Sequence, residues 1–167
     1  MNTLKILKDN QNNFDAQVSN DNSDGQIILS GHKKAIDTIN TTLKKIKKRS
    51  IFLPVSAPFH CSLMKKATEV MRKELQKINF KQSKNILISN VTANEISHIE
   101  DLKGLLIKQI EKRVRWRETI LYMINKGVSQ FIEIGPGKVL SGLVKRINKD
   151  VKISSINSQS DIESLNI

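Results

Sequence analysis

Residues 129–154 read SQFIEIGPGKVLSGLVKRINKDVKIS. The stretch predicts a strand over 129–134, a tight turn at Gly135-Pro136-Gly137, a helix from Lys138 to Asn148 and a short strand near 151–154. Glycine and proline punctuate secondary structure because one tolerates left-handed backbone and the other lacks an amide donor. Strand, helix and strand in that order make a parallel crossover unit, which places the chain in the α/β class.

Working back from this unit, Trp116 begins a helix that ends at Gly127, the position of a helix C-cap. A helix near 101–112 precedes it, and a strand at 86–89 ends at Asn90. Residues 61–78 predict a longer amphipathic helix with Leu63, Met64, Ala67, Met71, Leu75 and Ile78 as its buried stripe. Pro54 and Pro58 bracket a short loop that delivers the chain to Phe59 and His60. Further upstream, strands at 14–19 and 26–30 flank the turn-rich Asn20-Asp21-Asn22-Ser23-Asp24-Gly25. A helix over about His32 to Lys47 buries Ala35, Ile36, Ile39, Leu43 and Ile46, and a strand at 50–54 follows. This β-β-α-β order suggests a small α/β subdomain over residues 1–55, then an α/β core over 56–155 and a polar tail over 156–167. Only two or three strands fall within residues 80–155. A parallel sheet needs more strands and two covered faces, so the sheet is expected to be incomplete.

With 167 residues and 38% hydrophobic content, the chain can bury one ordinary core, or a modest core plus a subdomain. A charged fraction of 26% is that of a globular protein rather than a disordered one. The net charge of +12 favours acidic partners: nucleic acid, anionic lipid, a phosphate group or an acidic carrier protein. The densest basic run, Lys44, Lys45, Lys47, Lys48 and Arg49, ends a helix and complements its dipole. No aromatic stacking pattern accompanies the charge, which argues against nucleic acid. The single cysteine, Cys61, excludes an internal disulfide and fits a reducing compartment. The opening MNTLKILKDNQNN has no apolar stretch of secretory-signal length. Nor does any segment approach the roughly 20 apolar residues of a membrane span. A cytoplasmic protein with no membrane partner is expected.

No Gly-x-Ser-x-Gly nucleophile elbow occurs, and neither Ser141-Gly142 nor Ser30-Gly31-His32 supplies one. His32, His60 and His98 match no zinc-ligand spacing, so no metal site is expected. Gly135-Pro136-Gly137-Lys138 lacks the remainder of a phosphate-binding loop and reads as a structural turn. His60 stands out, directly before a helix and after a proline-bounded loop, where an imidazole can face a cleft and move protons. Cys61 beside it reads as a small buried residue.

Four segments carry a family pattern. They are DGQIILSGH (24–32), LPVSAPFHCSLM (53–64), VRW (114–116) and FIEIGPGKVLSGLVKRI (131–147). Together they resemble malonyl-CoA:acyl-carrier-protein transacylases, in that family's order and spacing, along essentially the whole chain. The resemblance implies a ferredoxin-like subdomain plus the C-terminal part of an α/β-hydrolase-like acyltransferase domain.

In the family a serine takes the malonyl group from CoA as an ester, and the phosphopantetheine thiol of the carrier protein then removes it. The resemblance assigns His60 as general acid and base, and Gln109 as the residue whose main-chain carbonyl orients it. It places Asn20, Asn22 and Phe59 near the substrate cleft. It implies malonyl-CoA and a phosphopantetheinylated acyl carrier protein as substrates, with no permanently bound cofactor. The family's serine, its malonyl-binding arginine and its oxyanion-hole glutamine match nothing in this chain, and Arg113, Arg115 and Arg117 belong to a different segment. Three expectations follow: an enzyme half completed by a separately encoded N-terminal half, a non-catalytic remnant, or a basic module that binds acyl carrier protein.

Overall fold

The computed structural model describes residues 15–165. Residue 14 of the expected first strand, the MNTLKILKDNQNN opening and the last two residues of the expected tail lie outside the described residues.

β1 (Ala16–Ser23) and β2 (Gln26–Gly31) form an antiparallel hairpin whose turn, Asp24-Gly25, places Gly25 at φ +78°. The turn is shorter than residues 20–25 because β1 continues through the polar run. Two irregularities, between Val18 and Asn20 and between Asp21 and Ser23, keep it paired with β2. On its other edge β1 meets Val114: the Asp21 amide donates to the Val114 carbonyl at 3.0 Å, and the Val114 amide to the Ser19 carbonyl at 2.8 Å. Hydrogen bonding on both sides outweighs the turn propensity of Asn and Asp. α1 (Lys33–Lys45) follows, with Ile39 and Leu43 buried.

Two sequence expectations fail here. Residues 50–54 form no strand, and Ile51, Phe52 and Leu53 are exposed. A β-branched, aromatic run becomes a strand only when another strand satisfies its backbone, and none of the described residues does so. The expected helix over 61–78 is a 3-10 turn, Ser62–Met64, continued by α2 (Lys65–Gln76). Of its expected buried stripe only Leu75 is buried; Leu63, Ala67, Met71 and Ile78 are exposed, Met64 is half-buried and Thr68 is buried in their stead. The stripe keeps its helical spacing while most of it faces solvent.

β3 (Ile88–Ser89) and β4 (Asn94–Glu95) make a minimal antiparallel pair ahead of α3 (Ile99–Gln109). α4 (Trp116–Asn125) buries Thr119 and Ile120 and packs on β1. It ends as the sequence indicated. Gly127 takes φ +91° and donates to the Ile124 carbonyl, while the Val128 amide donates to that of Met123, a Schellman closure. β5 (Gln130–Ile134), α5 (Val139–Ile147) and β6 (Lys152–Ile156) form the parallel crossover unit, with the strands paired from Gln130–Lys152 to Ile134–Ile156. The expected polar tail instead contains α6 (Gln159–Glu163), because Ser158 and Asp161 cap each other's backbone amides. Among the described residues there are three sheets of two strands each, so the architecture is mixed α/β with small, incomplete sheets. Among the described residues no helix is long and apolar enough to cross a membrane, and no cluster of three or more His, Cys, Asp or Glu could hold a metal.

Candidate active site

α3 stops at Gln109, and like any helix it leaves its last carbonyls without intrahelical donors. His60 meets two of them: its Nδ1 lies 2.8 Å from the Gln109 carbonyl oxygen, and its backbone amide donates to the Ile110 carbonyl at 3.2 Å. A carbonyl only accepts, so Nδ1 carries the proton and the neutral ring presents a bare lone pair at Nε2. The contact also sets the imidazole at the C-terminal end of a helix.

Holding the ring there forces His60 into the left-handed region, at φ +58°. That is costly for a residue with a Cβ and characteristic of functional positions. The turn is pinned by its neighbours. Cys61 is 1% exposed and its thiol donates to the Pro58 carbonyl at 3.1 Å, so it is the small buried residue the sequence suggested. Phe59, the residue before it in the chain, is exposed.

Residues 109–115 act as a hub. Gln109 and Ile110 hold His60, Val114 pairs with β1, and the Arg115 amide donates to the Asn90 carbonyl at 3.0 Å. Asn20 bridges to Val114 and so lies on the strand served by this hub. Asn22 is buried further along β1. The structure thus brings His60 and Gln109 into contact and relates Asn20 to them through the backbone.

Sequence reasoning did not reveal how the arginines are occupied. Arg113 donates to Glu118 at 2.6 Å, and Arg115 also pairs with Glu118. Arg117 bonds Asp24 at 2.5 Å and the buried Asp21 at 3.3 Å. Its Nε is another 3.3 Å from Asp21 Oδ1 but poorly directed for a hydrogen bond, so the pair rests on charge as much as on geometry. Burial opposes the guanidinium charge, yet Asp21 and Asp24 outweigh it and hold the pKa above the ordinary value. All three guanidinium groups are therefore engaged by carboxylates of the chain itself.

Glu133 was likewise missed. Its carboxylate accepts the Leu140 and Ser141 amides at 3.0 and 2.7 Å, filling the N-terminus of α5. The Ser141 hydroxyl, then the Ser141 and Leu140 amides, hold the Glu133 pKa below its usual value. The Gly137 amide is taken by Asn157 at 2.6 Å. The anion-binding end of this helix is thus satisfied internally, in keeping with a structural turn. An acid one residue ahead of Ile134-Gly135-Pro136-Gly137 was the available signal.

No family model matches the chain. Among curated proteins it is 42% identical to the malonyl CoA-acyl carrier protein transacylase of Bacillus subtilis over 148 residues, 88% of this chain and 47% of that protein. It is 40% identical to the Staphylococcus aureus transacylase over 151 residues, 90% of this chain and 49% of that one. The chain is homologous to malonyl-CoA:acyl-carrier-protein transacylases. It corresponds to the C-terminal half and spans about half the length of these transacylases. The Clostridium perfringens transacylase superposes with a TM-score of 0.90 at 36% identity, covering 98% of this chain and 53% of that one. A malonyl-transacylase solved in complex with a type II polyketide acyl-carrier protein gives a TM-score of 0.88 at 32% identity, covering 96% and 52%. These transacylases share the incomplete mixed α/β arrangement found here as the C-terminal part of a larger fold.

Proposed function

We propose that this chain supplies the proton-transfer half of an S-malonyltransferase acting between malonyl-CoA and acyl carrier protein. The observation that carries the reading is the 2.8 Å contact between His60 Nδ1 and the Gln109 carbonyl, which leaves Nε2 free as the base. An N-terminal half would bring the serine, the arginine for the malonyl carboxylate and the oxyanion-hole glutamine. His60 Nε2 then takes the serine proton as the oxygen attacks the thioester carbonyl. The C–S bond breaks, and the imidazolium returns that proton to the departing CoA thiolate. In the second half-reaction His60 takes the proton of the phosphopantetheine thiol, and the thiolate attacks the malonyl-serine ester. The serine oxygen recovers the proton as it leaves. Gln109 contributes its carbonyl throughout and never titrates; Asn20, Asn22 and Phe59 line the approach. The chain alone has no nucleophile and transfers nothing.

The test joins this chain to the N-terminal half of the Bacillus subtilis transacylase and follows malonyl transfer to acyl carrier protein. Transfer should require both halves, and His60→Ala should lower it by about 10²- to 10⁴-fold, the usual range for a general base. Turnover by the chain alone, or none from halves shown to associate, would overturn the reading. The second outcome would leave a non-catalytic remnant.

The exposed run Lys44, Lys45, Lys47, Lys48 and Arg49 favours a second reading, a surface for an acidic carrier protein. Such a complex should weaken as salt rises from about 0.05 to 0.5 M, because exposed charges are screened over about 10 Å at 0.1 M. A salt-insensitive or absent complex would remove it.

A further inference from the structure

We propose that Gln17 is a positioning residue for His60, acting as a helix cap delivered from another strand. The proposal rests on the reading of His60 as the general base. The helical segment after His60 starts at Ser62, and its N-cap, Cys61, offers no side-chain acceptor. The Cys61 thiol is directed away, donating to the Pro58 carbonyl. The amide of Ser62 is the first of the segment, ahead of the second and third amides that an N-cap side chain reaches, so its partner has to come from elsewhere in the fold.

Gln17, on β1 and 45 residues distant in the chain, fills the gap. Its Oε1 accepts the Ser62 amide at 3.2 Å, while its Nε2 donates to the Ser62 hydroxyl at 3.0 Å. One amide thus grips both the backbone and the side chain of the residue two places beyond His60.

The grip matters because of where the strain lies. His60 holds a left-handed φ of +58°, with its ring bonded to Gln109 and its amide to Ile110. Cys61 then runs extended, at φ −144° and ψ 170°, into the helix start. If the helix start is free to fray, the turn can relax and the ring loses its fixed distance from Gln109. With Gln17 in place, both ends of the three-residue segment are tied, one to α3 and one to β1. β1 is itself tied to the 109–115 hub through Val114. The loop closes on itself and leaves His60 little freedom to relax.

The test uses the full chain labelled with ¹⁵N, reading two quantities that do not depend on malonyl transfer. Ser62 amide exchange reports the cap, and the His60 ring tautomer reports the positioning. Gln17→Met keeps the bulk and removes both bonds; Gln17→Glu keeps two acceptors for the Ser62 amide and hydroxyl. In the Met variant, Ser62 exchange and the minor Nε2–H tautomer of His60 should each rise about fivefold, the factor for one net hydrogen bond. The Glu variant should restore both, and the exposed His32 and His98 should not change in either. Three outcomes would overturn the proposal: faster Ser62 exchange with an unchanged His60 tautomer, a Glu variant as perturbed as the Met variant, or all three histidines changing together through general loss of fold. A failure of malonyl transfer in the joined halves, with these readouts as expected, would count against the functional reading alone.

Discussion

At His60 a backbone cost and a side-chain role coincide. A residue with a Cβ at φ +58° is disfavoured by about 1–2 kcal/mol. The two α3 carbonyls it satisfies are worth about 0.5–1.5 kcal/mol each, so the turn is close to balanced. Replacing His60 separates the two effects. Both His60→Ala and His60→Gly remove the imidazole, but only glycine relieves the backbone, against its greater loss of entropy on folding. We expect the glycine variant of the joined halves to be more stable than the alanine variant by about 0.5 kcal/mol, and both to lose transfer by the same factor of about 10²- to 10⁴-fold. Equal stabilities would show that the left-handed turn is not held in solution. The contact between His60 and Gln109 spans 49 residues, and no spacing rule predicts it. Only the family resemblance pointed to it. Gln17 had no signal at all, because a cap supplied from another strand leaves the helix start looking uncapped in sequence. Glu133 did have one, an acid beside a glycine turn before a helix, but its partners are amides, which every sequence offers equally.

Elements show why some of the fold was legible and some was not. Trp116, Gly127 and Gly135-Pro136-Gly137 mark boundaries by backbone chemistry that acts within a few residues, and the structure places them where they were expected. Residues 50–54 and the stripe of α2 carry equally strong patterns, yet one forms no strand and most of the other is exposed. A hydrophobic pattern states that a face wants covering, not which segment covers it. Within the hairpin, a Cβ at Gly31 would sit 2.2 Å from the Asp15 carbonyl oxygen and 2.5 Å from the Ala16 Cα, both backbone atoms. Gly31→Ala should destabilise the hairpin by about 1–3 kcal/mol, seen as faster exchange of the β1 and β2 amides. At α5, Glu133 has a lowered pKa, so its stabilisation is complete above its unfolded value near 4.5 and is lost as pH falls through the folded value. The Leu140 and Ser141 amide shifts should therefore titrate with a midpoint below 4.5, and Glu133→Gln should abolish that titration. A midpoint at or above 4.5 would mean that the carboxylate does not occupy the helix end.

On the scale of the whole molecule, the exposed apolar residues are too many and too ordered to be incidental. Ile134 is 79% exposed, Val139 72%, Ile86 73% and Ile51 69%, in segments whose sequence patterns call for burial. β5 pairs with β6 on one side and with no strand on the other among the described residues, and two-stranded sheets are marginal alone. Where such residues join into one patch they mark a partner surface or an aggregation hazard. Relatives of about twice the length make an N-terminal half the cover to test. The chain alone should therefore bind an apolar dye and melt over a broad range. Adding the N-terminal half of a related transacylase should suppress the dye signal and give one sharp transition. Because that contact is apolar, it should persist at about 0.5 M salt, whereas carrier-protein binding through the lysines should not. The two interactions can thus be separated in one titration. A sharp cooperative melt of the pure monomer without dye binding would show that these faces need no cover, and would remove the physical case for a second half.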